Sequence, residues 1–298
     1  MYRNNRGQNK KAVANVRRSC KTASYKYNES FNFSTIPQAR INDDSFVAIS
    51  DTHIGSTLEK KYYLDCVYEY VTKYGINDIV HCGDILQSTI LPYKPEYNSV
   101  HKQIDHLLNI YPQDTTVTNH MLLGNHDFHA LRGNPELLKV LQSRKDFNIM
   151  GFKRAYIEWG ELLFSVFHDI KKYHNNLPDI KVDFYLSGHR HNLRVKENSV
   201  NVPSLSMDVK HYGESQSYPG FLNIQKEDDA IIFSWFTFKE KISKDMSSYE
   251  AKLLSEKEVK PTDSGTVLKL HPKHYWNKVK IWTELLLLIK IKTLHQEM

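Results

Sequence analysis

The chain predicts an α/β fold in which helices alternate with strands first and strands dominate later, an order that suits two facing sheets flanked by helices. Five short apolar runs predict the strands: FVAIS (46–50), DIVHC (78–82), HMLL (120–123), LLFSVF (162–167) and DFYLS (183–187). Each is four to six residues long, rich in Val, Ile, Leu and Phe, and bounded by turn formers, the pattern of a buried strand. Helix-period stretches lie between the first three runs. Beyond about residue 154 hairpin signals replace them.

Taken in order, residues 1–45 have weak apolar periodicity and read as a basic N-terminal extension leading into a domain at 46–238. Leu58, Tyr62, Cys66, Tyr70 and Tyr74 recur at i+4 spacing, predicting a helix over 58–74 with Gly75 as its stop. TILPYKPEY (89–97) carries two prolines beside the Gly83-Asp84 corner, where it can shape a substrate pocket. Val100, Ile104, Leu107, Leu108 and Tyr111 mark a second helix. Asn134 and Pro135 predict a third, with Asn as cap and Pro in the first helical position, running to about Ser143. AYIEW-GE-LLFSVFH (155–168) reads as a hairpin turning at Trp159-Gly160-Glu161. Strand candidates follow at 192–196 and 199–202, then a second hairpin, FLNIQ-KEDD-AIIFSWFTF (221–238). Residues 239–298 form a charged, lysine-rich C-terminal extension. Trp276, Trp282 and the apolar run 285–289 give it a means of docking on the core or a partner.

With 298 residues, 40% hydrophobic and 25% charged, the composition is that of a soluble globular protein with one substantial core. Three cysteines, Cys20, Cys66 and Cys82, show no paired spacing, so neither a disulfide framework nor a CxxC site is indicated. The expectation is a reducing, cytoplasmic compartment. No apolar stretch reaches the ~18 residues a membrane span needs. The run at 281–291 is interrupted by Glu284 and Lys290, and the N-terminus lacks a signal-peptide core. Residues 1–28 hold eight Lys or Arg and no acid against a net charge of +6, so the rest of the chain is slightly acidic. This arm is either a solubilising tail or a collector of polyanions, with Tyr25 and Tyr27 able to stack on bases.

Every one of the five runs ends in a metal-binding residue type. Asp51 and His53 follow the first, Asp84 the second, Asn125 the third, His168 the fourth, and His189 and His191 the fifth. Alone, DxH, GD or HD is worth little, because Asp and Gly are ordinary turn residues after strands. The joint pattern decides: five fragments each follow an apolar run, and ligands gather at the carboxyl ends of strands in α/β sheets. A mixed imidazole, carboxylate and amide set suits Mn, Fe, Zn or Ni better than calcium, and the absence of thiolates argues against a closed structural zinc site.

DTH (51–53), GD (83–84), GNHD (124–127), a later His168 and GHRH (188–191), in this order, resemble the calcineurin-like metallophosphoesterase superfamily over about 46–238. The resemblance implies a four-layer αββα sandwich of two facing mixed sheets flanked by helices. It implies two divalent metal ions, manganese first, with Asp51, His53 and His191 on one, Asn125, His168 and His189 on the other, and Asp84 between them. His126 matches the family's catalytic histidine. The implied reaction is hydrolysis of a phosphate ester, as phosphodiesterase or phosphatase, by in-line attack of a hydroxide bridging the metals, with His126 stabilising or protonating the leaving oxygen. Asp127 or His129 is a candidate to orient His126, with a turn cap as the other reading of Asp127. Arg190 is a candidate to bind the substrate phosphate, or a solvated turn residue. His174 is a rim candidate; His81, His101, His106, His120, His211, His271 and His274 lie outside the motif set. A DNA or RNA nuclease is the alternative, because SDTHIGS (50–56) looks like the equivalent segment of double-strand-break repair nucleases and the basic arm could meet nucleic acid. A non-catalytic scaffold is the third reading, weakened because no expected ligand is missing.

Overall fold

In the computed structural model the described residues are 37–89, 95–169, 182–196, 198–206, 219–227, 230–238 and 267–270. The basic segment 1–28, Cys20, most of 89–97, His174, His211, His271, His274 and the C-terminal extension apart from 267–270 lie outside them. In chain order the first elements are β1 (Ala39–Ile41), β2 (Ser45–Ile49), α1 (Lys61–Tyr74), β3 (Asp78–His81), α2 (Val100–Ile110), β4 (Thr118–Leu123), α3 (Asn125–Leu131) and α4 (Pro135–Gln142). Strands follow: β5 (Phe147–Phe152), β6 (Arg154–Trp159), β7 (Leu162–Phe167), β8 (Phe184–Ser187), β9 (Arg194–Lys196), β10 (Ser199–Asn201), β11 (Gly220–Glu227), β12 (Ala230–Thr237) and β13 (Val267–Leu270).

They build two mixed sheets. A seven-stranded sheet has the order β13-β12-β11-β2-β3-β4-β5, and a six-stranded sheet the order β1-β6-β7-β8-β10-β9. Strands β2, β3, β4 and β5 run parallel, joined by helical crossovers. Strands β7 and β8 are parallel neighbours in the other sheet. The period-2 geometry of a strand sorts each buried run onto two faces. Val47, Ile49, Ile79, Met121 and Leu123 point into one core with α1 to α4. Phe46, Ala48, Val80 and Leu122 point into a second core, against Ile157, Phe164, Val166, Phe184 and Leu186 of the facing sheet. This is the α/β architecture of two mixed sheets with flanking helices; the described helices all cover the seven-stranded sheet. Strands β1 and β13 add to the sheets from outside the 46–238 span.

Helix α1 ends where Gly75 adopts a left-handed conformation, with its N–H donated to the carbonyls of the last turn. It starts at Lys61 rather than Leu58, because residues 54–59 extend the loop after β2: Ile54 N–H donates to Ile85 O, and Gly55 N–H to the Glu59 carboxylate. Its buried row is Tyr63, Leu64, Val67, Tyr68 and Val71, one step round from the i+4 row read in the sequence, and Tyr74 is 51% exposed. The side of a broad apolar stripe that faces the sheet is set by the crossover, not by the stripe. Helix α4 has Pro135 in its first turn as expected, but Asn134 makes no capping bond; its Nδ2 donates to Ala130 O instead. The first hairpin turns tightly at Gly160-Glu161, with Trp159 opposite Leu162. The second keeps Lys226 and Glu227 within β11, so its connection is shorter than KEDD.

Trp159 anchors the core between the sheets. It is fully buried, packs edge-on to Phe46 at 5.0 Å and to Phe164 at 5.7 Å, and donates its indole N–H to Asp43 O at 2.6 Å. Trp159→Ala is expected to lower folding stability by ~3–5 kcal/mol, read as the shift of the urea unfolding midpoint; a loss under ~1 kcal/mol would remove it from this role.

Candidate metal centre

The motif residues stand on the loops that leave the carboxyl ends of β2, β3, β4, β7 and β8. The loops are bound to one another: Asp51 N–H donates to Gly83 O at 2.9 Å, His53 N–H to Asp84 O at 3.1 Å, and Gly188 N–H to Phe167 O at 3.2 Å. The backbone there is unusual. Seven described non-glycine residues have positive φ, and five of them are Asp51, His53, Asp84, His189 and His191. That region costs an L-residue energy and clusters at functional sites, where the surroundings over-determine it. Gly124 permits a close approach, since a Cβ on it would run into the Asp84 carboxylate and the His168 ring.

Six of the seven expected ligands converge in interlocking groups. Donor atoms of Asp51, His53 and His191 lie within 4.8 Å of one another, as do those of Asp84, His168 and His189, while His53, Asp84 and His126 form a third group spanning the two. Asn125 is the first residue of α3, directly after Gly124, whose own backbone lies against Asp84 and His168. Arg190 is part-exposed at the rim between His189 and His191.

The hydrogen bonds point the donors inward. Asp51 Oδ2 accepts from Ser50 Oγ at 2.6 Å and from His189 N–H at 2.9 Å. Its other oxygen, Oδ1, makes no hydrogen bond among the described residues and lies 3.3, 3.8 and 4.0 Å from Nε2 of His191, His53 and His168. His53 Nε2 and His191 Nε2 stand 3.3 Å apart, the separation of neighbouring ligands each ~2.1 Å from one ion, which is roughly 3.0–3.4 Å. Asp84 Oδ1 accepts from His126 N–H at 2.8 Å, and Oδ2 lies 2.9 Å from His168 Nε2. His168 donates Nδ1–H to Cys82 O at 2.9 Å, which fixes the tautomer whose Nε2 faces the cluster. Buried Asp51 Oδ1 and the facing imidazole nitrogens are what cation binding requires, so the residues present fit a metal centre.

Electrostatics agree with that fit at His53, whereas His168 must lose a proton before its Nε2 can hold a cation. Burial holds the His53 imidazole down to about 3 despite the pull of Asp84, keeping it neutral as a ligand must be. His189 is lowered as well, by partial loss of hydration at a side chain still 43% exposed and then by His168. Burial works to raise both carboxylates, but His191 and His168 outweigh it at Asp51, and His168, His126 and His53 at Asp84; both end below the ordinary range. Burial also opposes charge on His168, yet Asp84 and then Asp51 push it up to about 9.

The polar residues around the centre have their own partners. Asp127 takes N–H groups of Leu86 at 2.7 Å, Gly124 at 2.8 Å and Ile85 at 3.1 Å. Its carboxylate thus ties two ligand loops together, and the ring of His126 is held elsewhere, with Nδ1–H donated to Gln87 O at 2.6 Å. His129 is exposed on α3, in edge contact with Phe128. His81, fully buried, accepts from Gly83 N–H on Nδ1 and reaches Thr52 Oγ1 with Nε2 at 3.1 Å, bracing the DTH loop from behind. His120 is held by Asp78 and Asn148, and His106 by Glu59. The carbonyls of Cys82 and Gln87 escaped sequence reading because a backbone acceptor leaves no signature in side-chain type. Asp127 did leave one: a turn cap was among its readings, and its carboxylate accepts Gly124 N–H at the start of α3.

Residues 45–207 match the family model of the calcineurin-like phosphoesterase superfamily domain, more than half of the chain. The chain belongs to that superfamily. Membership supports a metal-dependent phosphoesterase acting on a phosphate ester. Among solved structures, similarity extends to a phosphoesterase of E. coli, Yfce (18% identity, 63% of this chain and 90% of that one, TM-score 0.39). A conserved protein of Streptococcus pneumoniae described as a predicted phosphoesterase is similar at 15% identity (65% and 89% covered, TM-score 0.36). Vps29 of Entamoeba histolytica in complex with zinc is similar at 15% (65% and 92%, TM-score 0.38). At these identities and TM-scores nothing of their chemistry carries over to this calcineurin-like chain. A search of curated proteins gave no significant match. No helix of the described residues is long and apolar enough to cross a membrane.

Proposed function

We propose that this chain is a two-metal phosphoesterase in which Asp51, His53 and His191 hold one divalent cation, Asn125, His168 and His189 the other, and Asp84 both. The observation that carries this reading is the pair of donor groups meeting at Asp84, with the buried oxygen Asp51 Oδ1 facing imidazole nitrogens. Bound divalent cations supply a water of lowered pKa and neutralisation of the phosphoryl oxygens. The chain's own residues do the rest. Gln87 O holds Nδ1–H of His126, so the doubly protonated ring gives its Nε2 proton to the leaving oxygen and returns to the Nδ1–H form. The ring of His126 lies 4.9 Å from that of His53, beside the donor cluster, as a proton donor to the departing group must. Arg190, at the rim, gives a cationic fork for a substrate oxygen.

Hydrolysis of a chromogenic phosphodiester with Mn2+, abolished by chelator and restored by metal, is the expected outcome. Its absence across phosphomonoesters, cyclic nucleotides and linear diesters, with metal bound, would leave a metal-binding scaffold instead. His126→Ala is expected to keep its metal and to lose ~10²–10⁴-fold in kcat, measured by steady-state kinetics beside elemental analysis. Turnover close to wild type would take His126 out of the reaction.

A further inference from the structure

Helix α2 carries a glutamine whose contacts reach His126 through a single peptide group. Gln103 is fully buried, and its carboxamide grips both sides of Ser88: Oε1 accepts Ser88 N–H at 2.7 Å, and Nε2 donates to Ser88 O at 3.2 Å. The same Nε2 donates to Tyr97 O at 2.8 Å, and the side chain lies so close to Gly55 that a Cβ there would meet its Cγ at 2.7 Å. Ser88 has φ +61°, a conformation an L-residue holds only when its surroundings impose it. The peptide before it is the relevant group. Its N–H, on Ser88, is the one Gln103 accepts, and its C=O, on Gln87, is the one that accepts Nδ1–H of His126 at 2.6 Å. A peptide is planar, with N–H and C=O opposed, so fixing one end aims the other. Hydrogen bonds in such a chain polarise one another in a dry site.

We propose that Gln103 is a positioning residue for His126. By holding the Gln87–Ser88 peptide it aims a carbonyl at the imidazole and selects the tautomer with the proton on Nδ1, leaving Nε2 toward the metal cluster. The side chain must be an amide, because it accepts from one N–H while donating to two carbonyls; a carboxylate would face those carbonyls with no proton to give. The consequence for turnover rests on the function proposed above. The tautomer does not.

The test uses the full chain with 15N-labelled histidine, chelator-treated and then loaded with Zn2+, and reads two-bond 1H–15N correlations. His126→Gln identifies the His126 signals by their loss. Read at a pH where the ring is neutral, the wild type is expected to give a single tautomer, protonated on Nδ1. Gln103→Leu is expected to give a mixture with an Nε2–H population, while His120 and His106, which have other partners, keep their patterns. If Gln103→Leu does not fold, Gln103→Met, of similar length and without acceptor or donor for Ser88, replaces it with the same expectation. A pure Nδ1–H form of His126 in a folded variant would overturn the proposal. In a series of aryl phosphodiesters, kcat is expected to fall ~10-fold for poor leaving groups and little for good ones, with KM within twofold. A uniform kcat loss across the series would also count against it. If the wild type hydrolyses no ester, the proposed function fails, while the tautomer result still judges Gln103.

Discussion

Asp84→Asn is expected to reduce bound metal to at most one ion per chain and to lower phosphodiester turnover by more than about 10³-fold. The side chain keeps its size, so the loss isolates its charge. Asp84 is the carboxylate shared by two donor groups, with one oxygen on His126 N–H and the other facing His168. Three imidazoles around it hold it ionised against a burial that would otherwise protonate it. An amide cannot offset the repulsion of two cations, and its NH2 would face either the His126 N–H or the His168 nitrogen. Elemental analysis and steady-state kinetics read the two effects, and the melting temperature of the chelated protein reads the fold. Unchanged metal content would remove Asp84 from the centre of the site.

Acidifying the chelator-treated protein from pH 7 to 4 is expected to lower its stability steeply. His53 and His81 are held down to about 3 by burial, against ~6.5 in an unfolded chain. Between those values the unfolded state takes up two protons that the fold refuses, each contributing up to about 1.4 kcal/mol of lost stability per pH unit. Asp127 runs the other way. Burial and then Asp84 raise it to about 6, so the fold accepts its proton sooner than the unfolded chain and offsets one histidine between about pH 6 and 4. His168, raised to about 9, contributes stability that is complete below about pH 6.5 and lost as pH climbs through 9. The stability of the metal-free protein therefore peaks near neutrality, with a net acid slope of roughly 1.4 kcal/mol per pH unit. Urea unfolding at pH 7, 6, 5 and 4 measures it, and a flat profile would contradict the burial of these imidazoles. Metal at pH 7 should raise the midpoint, because a cation binds the folded donor set, with His53 already neutral and His168 giving up its proton on binding.

The five strands that end in the motifs were legible because each is local: FVAIS or LLFSVF carries its burial in consecutive residues, and the Gly, Asp and Asn after it mark the turn; β1, β5 and β13 were not read. The hairpin at Gly160 was legible for the same reason. Helix α1 was legible in its length and its Gly75 stop, but not in its face, since Tyr62, Cys66 and Tyr70 are as regularly spaced as Leu64, Val67 and Val71. Helix α3 was hidden, because a seven-residue helix beginning inside GNHD has too few turns to show a period. The assignment of strands to two sheets was also out of reach of any short window. Strand β1 pairs with β6, more than a hundred residues away, and β2 is neighbour to β11.

The order and identity of Asp51, His53, Asp84, Asn125, His168, His189 and His191 are written in the chain, because the donors proposed for a metal are side-chain types and strand ends are local events. Folding alone decides which atoms of those residues face one another. The tautomer of His168 depends on the carbonyl of Cys82, that of His126 on the carbonyl of Gln87, and that carbonyl on Gln103. These partners are backbone groups or side chains brought together across distant stretches of chain, and an acceptor that every residue possesses becomes specific only through its position in space.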